Sequence, residues 1–230
     1  MELRAQTELG KTLGKEGDRL SHRMLMDRLG DRFPQDRIRS EEATRSEVLE
    51  SATGRVWIID PLDGTREFSE GREDWAVHVG LAIDGEPRVG AVALAAMDLV
   101  LGTEDPPEVA APADVPRLVV SRSRPPEFIP ALAERLGATT VAMGSAGAKI
   151  ASVIRGECEI YVHAGGQFEW DSAAPVAVAL ASGLHASRLD GSPLRYSQPD
   201  PWMPDLVVCH PAMTAAVMDA LGAVGPPEAG

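Results

Sequence analysis

The chain has 230 residues, 44% hydrophobic and 25% charged, with a formal net charge of -13. Such a composition suits a soluble protein folded as one large domain or two tightly packed halves. The acidity argues against a nucleic-acid polymer as partner, and no apolar stretch approaches the roughly 20 residues that span a bilayer.

The N-terminal segment MELRAQTELGKTLGKEGD lacks the apolar core of a signal peptide. Cys158 and Cys209 stand singly in β-like segments and read as reduced core residues, so a cytoplasmic location is expected. Residues 17–31 predict an amphipathic helix with Leu20, Met24 and Leu29 near one face. Strands are predicted over 55–60, 75–83, 88–97 and 99–104, joined by short turns at Asp84-Gly85 and Met97-Asp98. Short turns between successive strands imply antiparallel pairing in this half. Residues 105–116, rich in Pro and Ala, read as a connection. Beyond it, strands over 118–121, 139–143, 158–163 and 206–209 alternate with helices over 127–137, 146–155, 171–182 and 212–222. That alternation implies an α/β half with a parallel or mixed sheet. The division is expected at residues 1–112 and 113–230.

The densest chemistry lies in Asp60-Pro61-Leu62-Asp63-Gly64-Thr65, directly after the apolar run Val56-Trp57-Ile58-Ile59. Pro61 is expected to end the strand at Asp60 and to turn Asp63 back toward it. Two crowded carboxylates repel unless a cation separates them, and an oxygen-only set favours a hard cation such as Mg²⁺. The N–H groups of Gly64 and Thr65, at the start of a short helix, offer an anion site. Taken singly, the other acids read blandly. Asp171 suits a helix cap, Glu41-Glu42 a solvated loop and Asp18 a helix N-terminus. From the residues alone, a metal site and an ordinary turn both stay open.

Asp60 to Thr65, the upstream Glu41-Glu42 pair and the downstream Trp170-Asp171-Ser172-Ala173-Ala174 together resemble the inositol monophosphatase superfamily in order and spacing. The resemblance implies a layered α-β-α-β-α sugar-phosphatase fold, of α+β and α/β character, and a Mg²⁺-dependent, lithium-sensitive phosphatase. Arg66-Glu67-Phe68, Ser121-Arg122-Ser123 and Gly144-Ser145 through Lys149 resemble the CysQ-type branch. Those enzymes act on 3′-phosphoadenosine 5′-phosphate in the recycling branch of sulfate assimilation. The implied roles place one Mg²⁺ on Glu41, Asp60 and the Leu62 carbonyl, and a second on Asp60, Asp63 and Asp171. A third, weaker ion would use Glu41 and water. Asp18 and Thr65 would orient and deprotonate the attacking water. Such enzymes usually carry a long N-terminal helix before the segment that holds Asp18; with about fourteen residues before Lys15, either that helix is shortened here or the sequence starts late.

Gly64, Thr65, Ser121, Arg122, Gly144, Ser145 and Lys149 are the expected substrate contacts. Arg122 or Arg124 could read a second phosphate, or mark a solvated strand end. Ser145 could equally cap a helix. Arg72 is expected to pair with a neighbouring acid, His163 to wall the pocket, and Glu169 to be a further sugar or base contact. Removal of the 3′-phosphate from the bisphosphate nucleotide is the leading expectation, with the phosphosulfate as a further substrate. Inositol phosphate or fructose bisphosphate hydrolysis is the alternative, and a non-catalytic nucleotide-binding protein the third. The partner is a small anionic phosphoester, not a membrane, with a homodimer left open.

Overall fold

In a computed structural model that describes residues 11–42 and 53–225, the strand β2 (Arg55–Asp63) is buried on both faces. Successive side chains point to opposite sides of a strand. Val56 and Ile58 accordingly enter a central core, while Trp57 and Ile59 pack with Leu81 and with Leu29 of α1 (Lys11–Arg32). Burial on both sides explains why the run is apolar at every position rather than alternating. The first sheet has the order β1-β2-β3-β4-β5 and includes β1 (Arg37–Ser40), β3 (Ala76–Ile83), β4 (Glu86–Leu94) and β5 (Leu99–Gly102).

The second sheet has the order β7-β6-β8-β10-β9, from β6 (Arg117–Ser121), β7 (Thr139–Met143), β8 (Ile160–Phe168), β9 (His185–Ser187) and β10 (Trp202–Cys209). Its alternation is equally clear. Val119, Tyr161, Leu206 and Val208 face the central core, while Leu118, Val120, Val162 and Val207 face outward. The outer face is covered by Leu132 of α3 (Ile129–Leu136) and by Val217 and Leu221 of α6 (Thr214–Val224). Between the sheets lie α4 (Ala146–Ile154) and α5 (Glu169–Ala181), whose Ile150, Ile154, Val176 and Val178 join the two inner faces. The one-turn α2 (Thr65–Ser69) packs its Phe68 with Leu13 of α1. The result is the expected layering, helix-sheet-helix-sheet-helix.

A close approach sets α5 in place. Gly80 and Gly90 face each other across β3 and β4. A Cβ at Gly90 would stand 2.3 Å from the Ala174 carbonyl oxygen, and one at Gly80 would stand 2.9 Å from the Ala174 nitrogen. Only glycine lets the helix backbone rest directly on the sheet, which brings its first turn over the end of β2.

Several expectations need correction. Leu20 and Met24 of α1 are exposed, and Leu13 and Leu29 are the buried leucines. The helix starts earlier than predicted, and its inward stripe carries Asp18 and glycines that a hydrophobic count overlooks. The first sheet is mixed rather than antiparallel, because β1 adds parallel to β2. Its sequence, Arg-Ile-Arg-Ser, has too little apolar character to register as a strand. Short β9 was missed for the same reason. Pro61 does not end β2. The strand continues through a register shift between Asp60 and Asp63, and a bulge accommodates a residue that has no N–H to give. Cys158 and Cys209 are buried free thiols, as expected.

Candidate active site

The irregularity in β2 positions the acids. Asp60 pairs in register with His78 and Asp63 with Ala76 on either side of the shift, and Asp171 arrives from the first turn of α5. Carboxylate oxygens of Asp60, Asp63 and Asp171 lie within 4.8 Å of one another. Asp60 is almost fully buried, as is Asp63. Each carboxylate is held by N–H donors. The Leu62 N–H donates to Asp60 Oδ1 at 3.0 Å, and the Phe168 N–H to Asp171 Oδ2 at 2.6 Å. Asp63 accepts from Ser145 Oγ at 2.6 Å, Ala146 N at 3.2 Å and Gly147 N at 2.5 Å. An ionised carboxylate offers about four lone-pair sites, so acceptor capacity remains on all three.

Glu41 follows β1, whose end is fixed beside Asp60 by the Glu41 N–H bond to the Ile59 carbonyl at 3.3 Å. The Thr65 hydroxyl lies 3.0 Å from Asp18 Oδ2 and 3.1 Å from the Leu62 carbonyl oxygen, with its proton shared between the two. Asp18 Oδ1 is buried without a partner among the described residues.

The electrostatics follow from this crowding. Burial, then the charges of Asp63, Glu41 and Asp171, hold Asp60 well above the usual carboxylate range. Burial and Asp63 push Asp171 up to about 7. Burial pushes Asp18 up to about 6 against the Thr65 hydrogen bond. Loss of hydration, then Asp18 and Asp171, push Glu41 up to about 7. Glu41 as a residue remains exposed, so repulsion is the firmer of its two causes. Raised carboxylates keep protons in the folded protein that the unfolded chain has already released. Stability of the metal-free protein therefore falls as pH rises from about 4 to about 7. His163 and His185, both lowered by burial, act in the opposite sense just below the usual imidazole value of 6.5, but they are two groups against several. Calorimetry in chelator should give a melting temperature several degrees higher at about pH 5.5 than at about pH 8. A higher value at pH 8 contradicts this electrostatic account.

The acids lie at one end of a cavity of about 770 Å³, within the range of small-molecule sites. Of the expected site residues, Asp63, Gly64, Ser121, Gly144, Ser145, Lys149 and Asp171 line it. Asp60, Thr65 and Leu62 lie at its acidic end through the contacts above. Ser145 caps α4, accepting from Ala148 N at 2.8 Å, while its proton goes to Asp63. Lys149 is buried. Its ammonium donates to the Gly144 and Ser145 carbonyls and lies 5.4 Å above the Tyr161 ring. Burial pushes its pKa down while Asp63 pushes it up.

Arg122 does not line the cavity. Its guanidinium bonds Glu67 Oε1 at 2.7 Å and Glu70 Oε2 at 2.9 Å, bracing α2 against the end of β6. Two arginines line the cavity: Arg66, which is paired with Glu70 at 2.8 Å, and Arg124, which has no ion pair among the described residues. Arg72 pairs with Asp74, as expected. Glu169 is no ligand contact: it is fully buried, bonded to Arg39 at 2.6 Å and to Gln198 N at 2.7 Å. His163 walls the cavity and bonds the Gly166 carbonyl at 2.9 Å. Sequence reasoning missed His78, which is fully buried between Asp63 and the Trp170 carbonyl, at 3.3 and 3.0 Å. A polar residue in the otherwise apolar run of β3 was its only signal.

Residues 4–105 and 111–222 match the inositol monophosphatase family, and the chain belongs to that family. A 3′-phosphoadenosine 5′-phosphate phosphatase from Mycobacterium bovis is 49% identical over 223 residues, 91% of this chain and 83% of the relative. The 3′(2′),5′-bisphosphate nucleotidase CysQ of Escherichia coli is 29% identical over 192 residues, 78% of each chain. Among solved structures, inositol monophosphatase II from Staphylococcus aureus superposes with a TM-score of 0.81 at 22% identity. It covers 96% of this chain and 87% of that one, a likeness of fold.

Proposed function

We propose that the chain is a Mg²⁺-dependent phosphomonoesterase that removes the 3′-phosphate of 3′-phosphoadenosine 5′-phosphate. The observation that carries this reading is the convergence of Asp60, Asp63 and Asp171 at one end of the cavity, each braced by N–H donors with acceptor capacity left over. The 49% identity to a phosphatase of that name supports the substrate.

An all-oxygen donor set fits a hard divalent cation. Asp60, Asp63 and Asp171, with Glu41 and the Leu62 carbonyl, would hold two or three such ions. Bound there, Mg²⁺ supplies charge neutralisation for the phosphoester and acidifies water. The chain's own groups do the rest. Thr65 Oγ, with its proton turned toward Asp18 or Leu62, presents lone pairs that accept a hydrogen bond from water. Asp18 Oδ1, without a partner among the described residues, is the atom we assign to take a proton. Burial of the acidic end restricts bulk water and fixes the geometry of attack.

Arg124 is the residue we assign to the second phosphate, in place of Arg122. Arg124→Ala should raise KM for the bisphosphate nucleotide about tenfold while leaving monophosphates little changed. Arg122→Ala should affect both classes alike, because it loosens a brace. If the two variants behaved the other way round, the assignment would be wrong.

Steady-state rates on 3′-phosphoadenosine 5′-phosphate, inositol 1-phosphate and fructose 1,6-bisphosphate test the whole reading. The bisphosphate nucleotide should have the highest kcat/KM. A wide preference for inositol 1-phosphate sinks it.

A further inference from the structure

Most large aromatic side chains of this protein are hidden: Trp57 and Trp75 are 7% exposed and Phe68 is 6% exposed. Phe168 at 43% and Trp202 at 42% are not, and both line the cavity that Asp63 and Asp171 enter. We propose that these two rings form the nucleobase subsite, an aromatic wall on which a planar purine or pyrimidine stacks. The inference rests on the nucleotide reading above and deepens it.

The wall is built rather than incidental. Phe168 of β8 pairs directly with Trp202 of β10, so their side chains share a face of the sheet. The Phe168 ring is backed by Trp170, stacked at 4.8 Å between centroids and 14° between planes. The Trp202 indole rests on Gly166, where a Cβ would come within 2.6 Å of the indole nitrogen. Gly166 has φ +92, a backbone conformation that L side chains rarely adopt. Both rings are therefore held at the surface in fixed orientations. The same segment is tied to the acids, since the Phe168 N–H donates to Asp171 Oδ2 at 2.6 Å. A ligand whose phosphate meets the acidic end has its remaining bulk beside these rings. Stacking rewards a flat heterocycle and gives little to a saturated polyol, so the wall selects nucleotides over sugar phosphates.

The test compares wild type, Phe168→Ala, Trp202→Ala and Trp202→Phe on 3′-phosphoadenosine 5′-phosphate and on inositol 1-phosphate, which lacks a base. Both side chains are solvent-facing, and melting temperatures near wild type will confirm folded variants. Trp202→Ala should lower kcat/KM for the nucleotide about tenfold, mainly through KM, and leave inositol 1-phosphate within about twofold. Phe168→Ala should act in the same direction, and Trp202→Phe should recover most of the loss. Nucleotide titration should quench tryptophan fluorescence in wild type, and most of that quench should disappear in Trp202→Phe. Equal losses on both substrates, or no loss on the nucleotide, overturn the aromatic wall and leave the proposed function standing. A wild type that hydrolyses inositol 1-phosphate but not the nucleotide overturns the substrate reading and the wall together.

Discussion

Asp60→Asn lowers turnover about a thousandfold or more, because a site that depends on divalent cations loses a charge it cannot replace. The fold survives. The amide oxygen still accepts from the Leu62 N–H, the one backbone bond to the Asp60 side chain among the described residues, and the side chain keeps its size. Without metal the variant should be more stable than wild type near neutral pH, since it removes repulsion from Asp63, Glu41 and Asp171. Steady-state assay and calorimetry in chelator check both halves. Turnover within about tenfold of wild type contradicts the metal assignment. Asp63→Asn is the less clean experiment. Asp63 accepts from Ser145, Ala146 and Gly147 at the start of α4. An amide there gives up part of a helix cap at about 0.5–2 kcal/mol, which offsets the relief of repulsion.

Gly147→Ala should disable the enzyme from outside the ligand set. A Cβ at this position would stand 1.9 Å from His78 Nε2 and 3.0 Å from Asp63 Oδ2. His78 has no exposed surface to retreat into, and its other nitrogen is bonded to the Trp170 carbonyl at 3.0 Å. The start of α4 must therefore move, taking with it the N–H groups that hold Asp63. A stability loss of about 1–3 kcal/mol is expected from the overpacking. A fall in kcat of at least about tenfold should accompany it, since small displacements of a positioned group are costly. Wild-type kcat together with a wild-type melting temperature would show that α4 has slack that the packing does not reveal.

The parts of the fold that were legible in the sequence are those with a strong hydrophobic period. β2, β6 and the helices of the C-terminal half announce themselves through continuous or 3.6-spaced apolar residues bounded by Gly and Pro. β1 and β9 do not, because tertiary pairing rather than composition makes them strands. The miss mattered, since β1 delivers Glu41. Asp60 and Asp63 stood out because two crowded acids after a buried apolar run are unusual, whereas Asp171 taken alone suited a helix cap and joined them only through the family resemblance. Which arginine faces the cavity was not legible. Arg122 and Arg124 have the same chemistry two residues apart, and only the folded positions of Glu67 and Glu70 separate them. Trp202 carried no signal either, because its role depends on register with Phe168 across a sheet and on the glycine beneath it.

Phosphate release from 3′-phosphoadenosine 5′-phosphate, followed with millimolar Mg²⁺ and again with excess chelator, bears most directly on the central claim. The account predicts adenosine 5′-monophosphate and inorganic phosphate with the metal, and neither without it. Equal release under both conditions, or none in saturating Mg²⁺, contradicts it.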